Sequence, residues 1–370
     1  MRYRRLPIEI ESPEERGYGS IRCNLTESSV TDATLEDYGI DLGGALLAYG
    51  DHRGLPELRE LIASDGEGLG ADDVLCTPGA AAALFFVATA LLEPGDHALI
   101  EHTNYATNLE TPRLVGAEVE PIELTIDAGF RLDVDAVAAA VRPTTRLLSV
   151  TTPHNPTGTV LSRSDLDALV ELAERHDCWL LVDETYREMS RGSALPVAAS
   201  LSERAISVSS LSKTYGLPGL RLGWVVTRHP ELQERLLAAK EQIVICGSTL
   251  DEHAAQQVLA RRAEHLARVL ADIEGRRDLL VAWMADQGDW LDWVEPEGGV
   301  VCLPRLRAGV VDDVDEFYRV LNAEHGTYVG EGHWFDTDRR HFRLGFGWPP
   351  VQELRDGLAA LAATAAAVHA

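Results

Sequence analysis

Between residues 72 and 227 the chain alternates short apolar runs with stretches of helical period. Ala98-Leu99-Ile100, Arg146–Val150, Trp179–Val182 and Ala205–Val208 are such runs. They are near-continuous rather than alternating, the pattern of strands covered on both faces. Between two of them, Leu166, Leu169, Val170 and Ala173 fall on one face of a helix. Ser164 is expected to cap that helix, with Asp167 as the acidic partner three residues on. Strand, helix and strand in that order make a βαβ unit and a mostly parallel sheet.

Beyond about residue 250 the pattern changes. Residues 249–284 read as one long charged helix linking two domains. Short strands near Gly299–Leu303 and His341–Phe346 follow, and the Ala-rich end from Leu358 reads as a final helix. The expected fold is α/β: a mostly parallel sheet sandwiched by helices over 41–260. A smaller α+β domain is expected from 1–40 plus 261–370, the first stretch being assigned there on weak patterning.

Composition narrows the function. The 370 residues carry 33 Lys+Arg against 59 Asp+Glu, a formal net charge of −26. A chain so acidic, without a basic cluster, is a poor partner for nucleic acid or for an anionic membrane surface. The longest apolar stretch, from Ala80 to Leu92, contains Thr89 and is too short to span a bilayer. The five cysteines, Cys23, Cys76, Cys178, Cys246 and Cys302, are scattered without a CxxC pair. Neither a zinc site nor a disulfide framework is expected. No apolar run follows the basic start, so no signal peptide is expected, and a cytoplasmic setting fits.

Three stretches carry candidate chemistry. Ser209-Ser210-Leu211-Ser212-Lys213 follows the run Ala205–Val208. A lysine at the end of a buried strand is costly as an ammonium, and the cost disappears if the amine becomes an imine. Arg221, eight residues on, could fork onto a phosphate, and Ser210 could add a hydroxyl. Asp183 ends the run Trp179–Val182, where ligands of α/β sheets bind, although a helix cap is the alternative. His154-Asn155-Pro156-Thr157-Gly158 follows the run Arg146–Val150, and its prolines restrict the backbone around Asn155. It also reads as a simple turn.

With HNPTG, VDETY and SLSKTYGLPGLRLG in this order, the sequence resembles the fold-type-I pyridoxal 5′-phosphate (PLP) enzymes, specifically the class I/II aminotransferases. The resemblance spans about Tyr49 to Gly345. It implies that Lys213 is the Schiff-base lysine, and that Asp183 partners the pyridine nitrogen. It implies that Asn155 and Tyr186 bond the phenolic oxygen, and that Tyr105 stacks on the ring. Ser210, Arg221 and the helix start Gly79-Ala80-Ala81 are implied phosphate ligands. Tyr49 is implied to reach the phosphate of a neighbouring subunit, hence a homodimer with shared active sites. Arg343, between Phe342 and Leu344, is implied to grip the substrate α-carboxylate. No metal is implied.

The sequence also departs from the family pattern. Ala80-Ala81 stand where a hydroxyl residue is common. The substrate loop reads Asn24-Leu25-Thr26-Glu27-Ser28-Ser29, so that Glu27 could face a cationic or polyhydroxylated substrate, or simply be solvated. In Gly330-Glu331-Gly332-His333-Trp334-Phe335, His333 or Trp334 is a candidate pocket residue. The implied reaction is transamination of an α-amino acid with a 2-oxo acid. The alternative is a non-transaminating enzyme on the same scaffold, a C–S β-lyase or a decarboxylating oxidative deaminase of natural-product biosynthesis.

Overall fold

In the computed structural model, which describes residues 3–368, the four apolar runs lie in the strands His97–His102, Thr145–Thr151, Trp179–Asp183 and Ala205–Ser210. They belong to a seven-stranded sheet. Its order is Val74–Thr77, Gly223–Val226, Ala205–Ser210, Trp179–Asp183, Thr145–Thr151, His97–His102, Glu118–Glu123. Every neighbouring pair is parallel except at Gly223–Val226, which runs antiparallel to both its neighbours. The register sets Thr151 beside Asp183 and Asp183 beside Val208. The loops that carry Asn155, Asp183 and Lys213 therefore leave the sheet at one edge.

Helices cover both faces because the strands are apolar on both. Gly79–Leu91 buries Ala83, Leu84, Phe86 and Val87 against Leu75, Ile100, Leu181 and Val208. On the other face Arg163–Arg175 packs Leu166, Leu169 and Leu172 against Leu148, Leu180 and Val182. The cap of this helix is Ser162, not Ser164. Ser162 accepts from the Asp165 N–H, and Asp165 reaches back to the Ser162 N–H at 3.2 Å, a capping box two residues earlier than the pattern suggested.

The long helix expected over 249–284 is two helices, Thr249–Ala260 and Arg262–Met284, broken at Arg261 (φ −119°, ψ 19°). They serve different cores. Ala255, Val258 and Leu259 pack with Leu58 and Ile62, whereas Ile273, Leu280 and Met284 pack with Phe317 and Leu354. Arg261 bonds the Tyr38 carbonyl and Arg262 bonds Asp65 at 2.7 Å, which fixes the break.

A second sheet is ordered Cys23–Leu25, Thr327–Glu331, Phe342–Gly345, Val301–Cys302, its first pair parallel and the others antiparallel. Val314–Ala323 and Val351–Val368 help to close its core around Phe317, Leu321, Phe342, Leu344 and Leu358. Among the described residues no helix is long and apolar enough to cross a membrane, and no His/Cys/Asp/Glu group could hold a metal ion.

Candidate active site

Where the carboxyl ends of the central strands face the second sheet there is a cavity of about 380 Å³. Lys213, Asp183, Asn155, Tyr186, Tyr105, Ser210, Arg221, Ala80, Ala81, Arg343, Glu27 and Trp334 all line it. Residues far apart in sequence converge there because the sheet register aligns their loops and the small sheet closes over them.

Lys213 is held through its backbone: its carbonyl accepts from the Val30 N–H at 3.2 Å. Burial lowers its ammonium pKa, and the neighbouring Glu27 carboxylate partly offsets this. The amine is thus biased toward its neutral, nucleophilic form. Asp183 is buried, and burial raises its pKa against the hydrogen bonds that favour the carboxylate. Its Oδ1 accepts from the Thr185 N–H at 3.1 Å and the Thr185 hydroxyl at 2.6 Å. Its Oδ2 faces Asn108 Nδ2 at 3.5 Å. Only the three-residue turn Arg187–Met189 follows, so Asp183 is not the cap of a regular helix.

Asn104 and Asn108 escaped the sequence reading. Asn104 Oδ1 accepts from the Tyr105 N–H at 2.6 Å and from Asn108 Nδ2 at 3.2 Å, while its own amide donates to Thr151 at 3.2 Å. The pair fixes Tyr105 at the start of the helix Ala106–Val115 and ties it to Asp183. Their four-residue spacing across a helix start was the available signal.

The start of Gly79–Leu91 has no side-chain cap, which leaves its first N–H groups open to an anion. Arg221 lies against it. Its backbone is left-handed (φ 44°), and its Nη1 donates to the Pro218 carbonyl at 2.7 Å. A Cβ added at Gly79 would come within 2.8 Å of Arg221 Nη2, so only glycine leaves room for the guanidinium.

Arg343 is only 5% exposed. Its Nη1 donates to Asn155 Oδ1 at 3.1 Å and its Nη2 to the Thr26 carbonyl. The guanidinium sits over the Phe335 ring, 4.9 Å from its centre. Arg343 Nε and Tyr186 Oη are buried without a hydrogen-bond partner. Unpaired buried donors are costly, and two beside one cavity mark where ligand atoms belong.

The N-terminal segment also reaches the cavity, through Ile8, Glu9, Ser12, Pro13 and Glu14 of the short helices Pro7–Glu11 and Pro13–Arg16. Their weak patterning hid this role. Glu11 anchors them, accepting from Trp334 Nε1 at 2.7 Å and meeting His333 Nε2 at 2.9 Å. Trp334 lines the cavity and His333 does not. Tyr49 is not brought to the cavity within one chain; it is 84% exposed, on a surface loop.

This donor set fits PLP. It offers a desolvated lysine for the aldehyde, a carboxylate for the ring nitrogen, an orphan phenol for the ring oxygen, and an arginine at a helix start for the phosphate. The comparisons agree. Residues 23–361 match the family model described as aminotransferase class I and II. An arginine–pyruvate transaminase of Pseudomonas aeruginosa is 32% identical over 320 residues, covering 82% of this chain and 80% of that one. A capreomycidine synthase of Streptomyces vinaceus is 30% identical over 83% of this chain and 82% of its own. A crystal structure of a PLP-dependent aminotransferase from Streptococcus suis superposes with a TM-score of 0.91 at 28% identity, covering 100% of this chain and 99% of that one. The chain belongs to the class I and II aminotransferase family. It is a PLP-dependent enzyme with the fold-type-I architecture, and its activity is the transamination of amino acids.

Proposed function

We propose that Lys213 carries the cofactor and that an α-amino acid is bound by Arg343 and Asn155 for transfer of its amino group to a 2-oxo acid. The observation that carries this is the convergence of Lys213, Asp183, Arg221 and Arg343 on one cavity. When bound, PLP supplies an aldehyde for Lys213 and a ring that takes up the electron pair left on the substrate Cα. The residues do the rest. Asp183 would keep a proton on the ring nitrogen. Tyr186 and Asn155 would bond the ring oxygen, and Tyr105 would stack on the ring. Arg221, Ser210, Tyr49 of a neighbouring subunit and the helix start Gly79-Ala80-Ala81 would hold the phosphate. Arg343 would fix the α-carboxylate, and the neutral Lys213 amine would take the proton from the substrate Cα and deliver it to the cofactor's aldehyde carbon, the shift that moves the amino group.

The test is reconstitution with PLP and spectroscopy of single turnovers. Conversion of the lysine-bound cofactor to its pyridoxamine form by an amino acid, reversed by a 2-oxo acid, is expected. Lys213→Ala should retain PLP without the covalent link and lose both half-reactions. Release of ammonia without any 2-oxo acid acceptor would instead establish the lyase or oxidative-deaminase reading.

A homodimer with shared sites belongs to the same reading. Leu46, Leu47 and Tyr49 are 76%, 73% and 84% exposed, an apolar surface that a second copy would cover. Sedimentation of a monomer that binds PLP fully would overturn it. A second domain built from the start and the end of the chain is supported by the core around Leu25, Phe317 and Phe342, while Tyr38 packs with Leu58 and Ile62 of the larger one. A cytoplasmic location is supported by cysteines that are all free.

A further inference from the structure

With PLP and an amino acid in place, every cation lining the cavity has a partner. Lys213 is spent on the aldehyde, Arg221 on the phosphate and Arg343 on the α-carboxylate. Asp183 is matched to the ring nitrogen. Three lining carboxylates remain, those of Glu9, Glu14 and Glu27. Glu9 is engaged, accepting from the Leu6 N–H at 2.7 Å. Glu14 and Glu27 interact electrostatically with both Lys213 and Arg343, the cations the ligands would neutralise.

Among the described residues, the arginines of the N-terminal segment do not answer them. Arg4 pairs with Glu110, Arg5 with Glu15, and Arg16 bonds Tyr328. Glu27 is aimed by neighbours: Tyr18 Oη donates to its Oε1 at 3.1 Å, and Asn24 Nδ2 lies 3.5 Å from the same oxygen. Glu14 is exposed, but Glu27 is half-buried, and a half-buried carboxylate without a cation is costly, so the missing charge belongs to a ligand. The unpartnered Arg343 Nε and Tyr186 Oη independently place a ligand in this cavity.

We propose that the amino donor is an α-amino acid whose side chain ends in a cation, an ammonium or a guanidinium, received by Glu27, with Glu14 beside it in the lining of the cavity. The inference rests on the transaminase reading above. Arg343 then takes the carboxylate end of the substrate and the N-terminal segment takes the other end. The segment between Pro7 and Arg16 becomes a specificity element rather than a cover.

The test uses the full-length protein loaded with PLP and single-turnover kinetics with arginine, ornithine, lysine, norleucine and glutamate. The basic amino acids should convert the cofactor with a rate constant over dissociation constant about 10- to 100-fold above that of norleucine, the range expected for hydrogen bonds between charged groups. Glu14→Gln and Glu27→Gln should each cut the arginine-to-norleucine preference by about tenfold. Norleucine or glutamate reacting as well as the basic amino acids overturns the proposal and leaves transamination standing. A basic preference that neither variant moves overturns the assignment to Glu14 and Glu27. Conversion by none of the amino acids overturns the transaminase reading itself, and this inference with it.

Discussion

Replacing Gly79 by alanine separates two effects that usually arrive together. Gly79 has φ +79° and Gly68 has φ +75°. An alanine at either position costs about 1–2 kcal/mol of backbone strain. A Cβ at Gly68 meets nothing within 4 Å, whereas one at Gly79 lies 2.8 Å from Arg221 Nη2 and 3.4 Å from its Cζ. The cheapest relief at Gly79 is for the guanidinium to swing off the helix start. Losing a charged hydrogen bond to phosphate costs about 1.5–3 kcal/mol, or roughly 10- to 100-fold in affinity. Denaturant titration of both apoproteins should show similar losses near the strain value. Equilibrium titration with PLP should then show Gly68→Ala binding as the wild type does and Gly79→Ala binding about 10- to 100-fold more weakly. If Gly79→Ala binds PLP with wild-type affinity, Arg221 does not hold the phosphate and the reasoning fails.

Arg343→Lys keeps the charge and loses the planar fork, so the KM for the amino acid should rise about 10- to 100-fold in steady-state assays. PLP affinity should change far less, and an equal loss in both would show that Arg343 acts on the cofactor. Burial pushes the Glu101 carboxyl up to about 8 and that of Glu184 to about 7, so the fold favours their protonated forms. That stability is complete below the ordinary carboxylate value of 4.5 and is lost as pH rises through the folded values. Buried His154, held neutral down to about 3, gives the opposite slope only below its ordinary 6.5. Between pH 6.5 and 8 these two carboxyls should therefore lower the stability of the apoprotein by up to about 1.4 kcal/mol per pH unit each, against the opposite slope from Lys213 and Lys240, whose ammonium forms burial disfavours. Glu101→Gln should flatten that slope in urea titrations, and an unchanged slope would refute its origin.

The strands were legible because burial on both faces leaves a continuous apolar run such as Trp179–Val182. The residues gathered at their ends were legible as motifs, since Lys213, Asp183 and Asn155 each follow such a run directly. What stayed hidden depended on distant partners. The break at Arg261 follows from two cores pulling one amphipathic stretch in different directions, which no local pattern records. The helices Pro7–Glu11 and Pro13–Arg16 are too short to show a period, and Glu11 is anchored by Trp334, 323 residues away. Asn104 and Asn108 act through polar bonds within a helix start, where hydrophobic periodicity is silent. The helix cap is Ser162 rather than Ser164 because Asp165 bonds back to the Ser162 N–H, a pairing that the apolar pattern of the helix does not record.

The tie between Arg343 and the Thr26 carbonyl also has a meaning in time. The two residues stand 317 positions apart. At about 5–20 residues per second, a ribosome needs roughly 15–60 s to deliver Arg343 after Thr26 has emerged. By then the strands that present Lys213 and Asp183 are already made, since both precede Arg343 in the chain. A truncated or stalled chain can thus own the reactive lysine and still lack the grip for a carboxylate. Substrate capture comes with the last strand of the second sheet, so an enzyme able to turn over is one whose synthesis has passed Arg343.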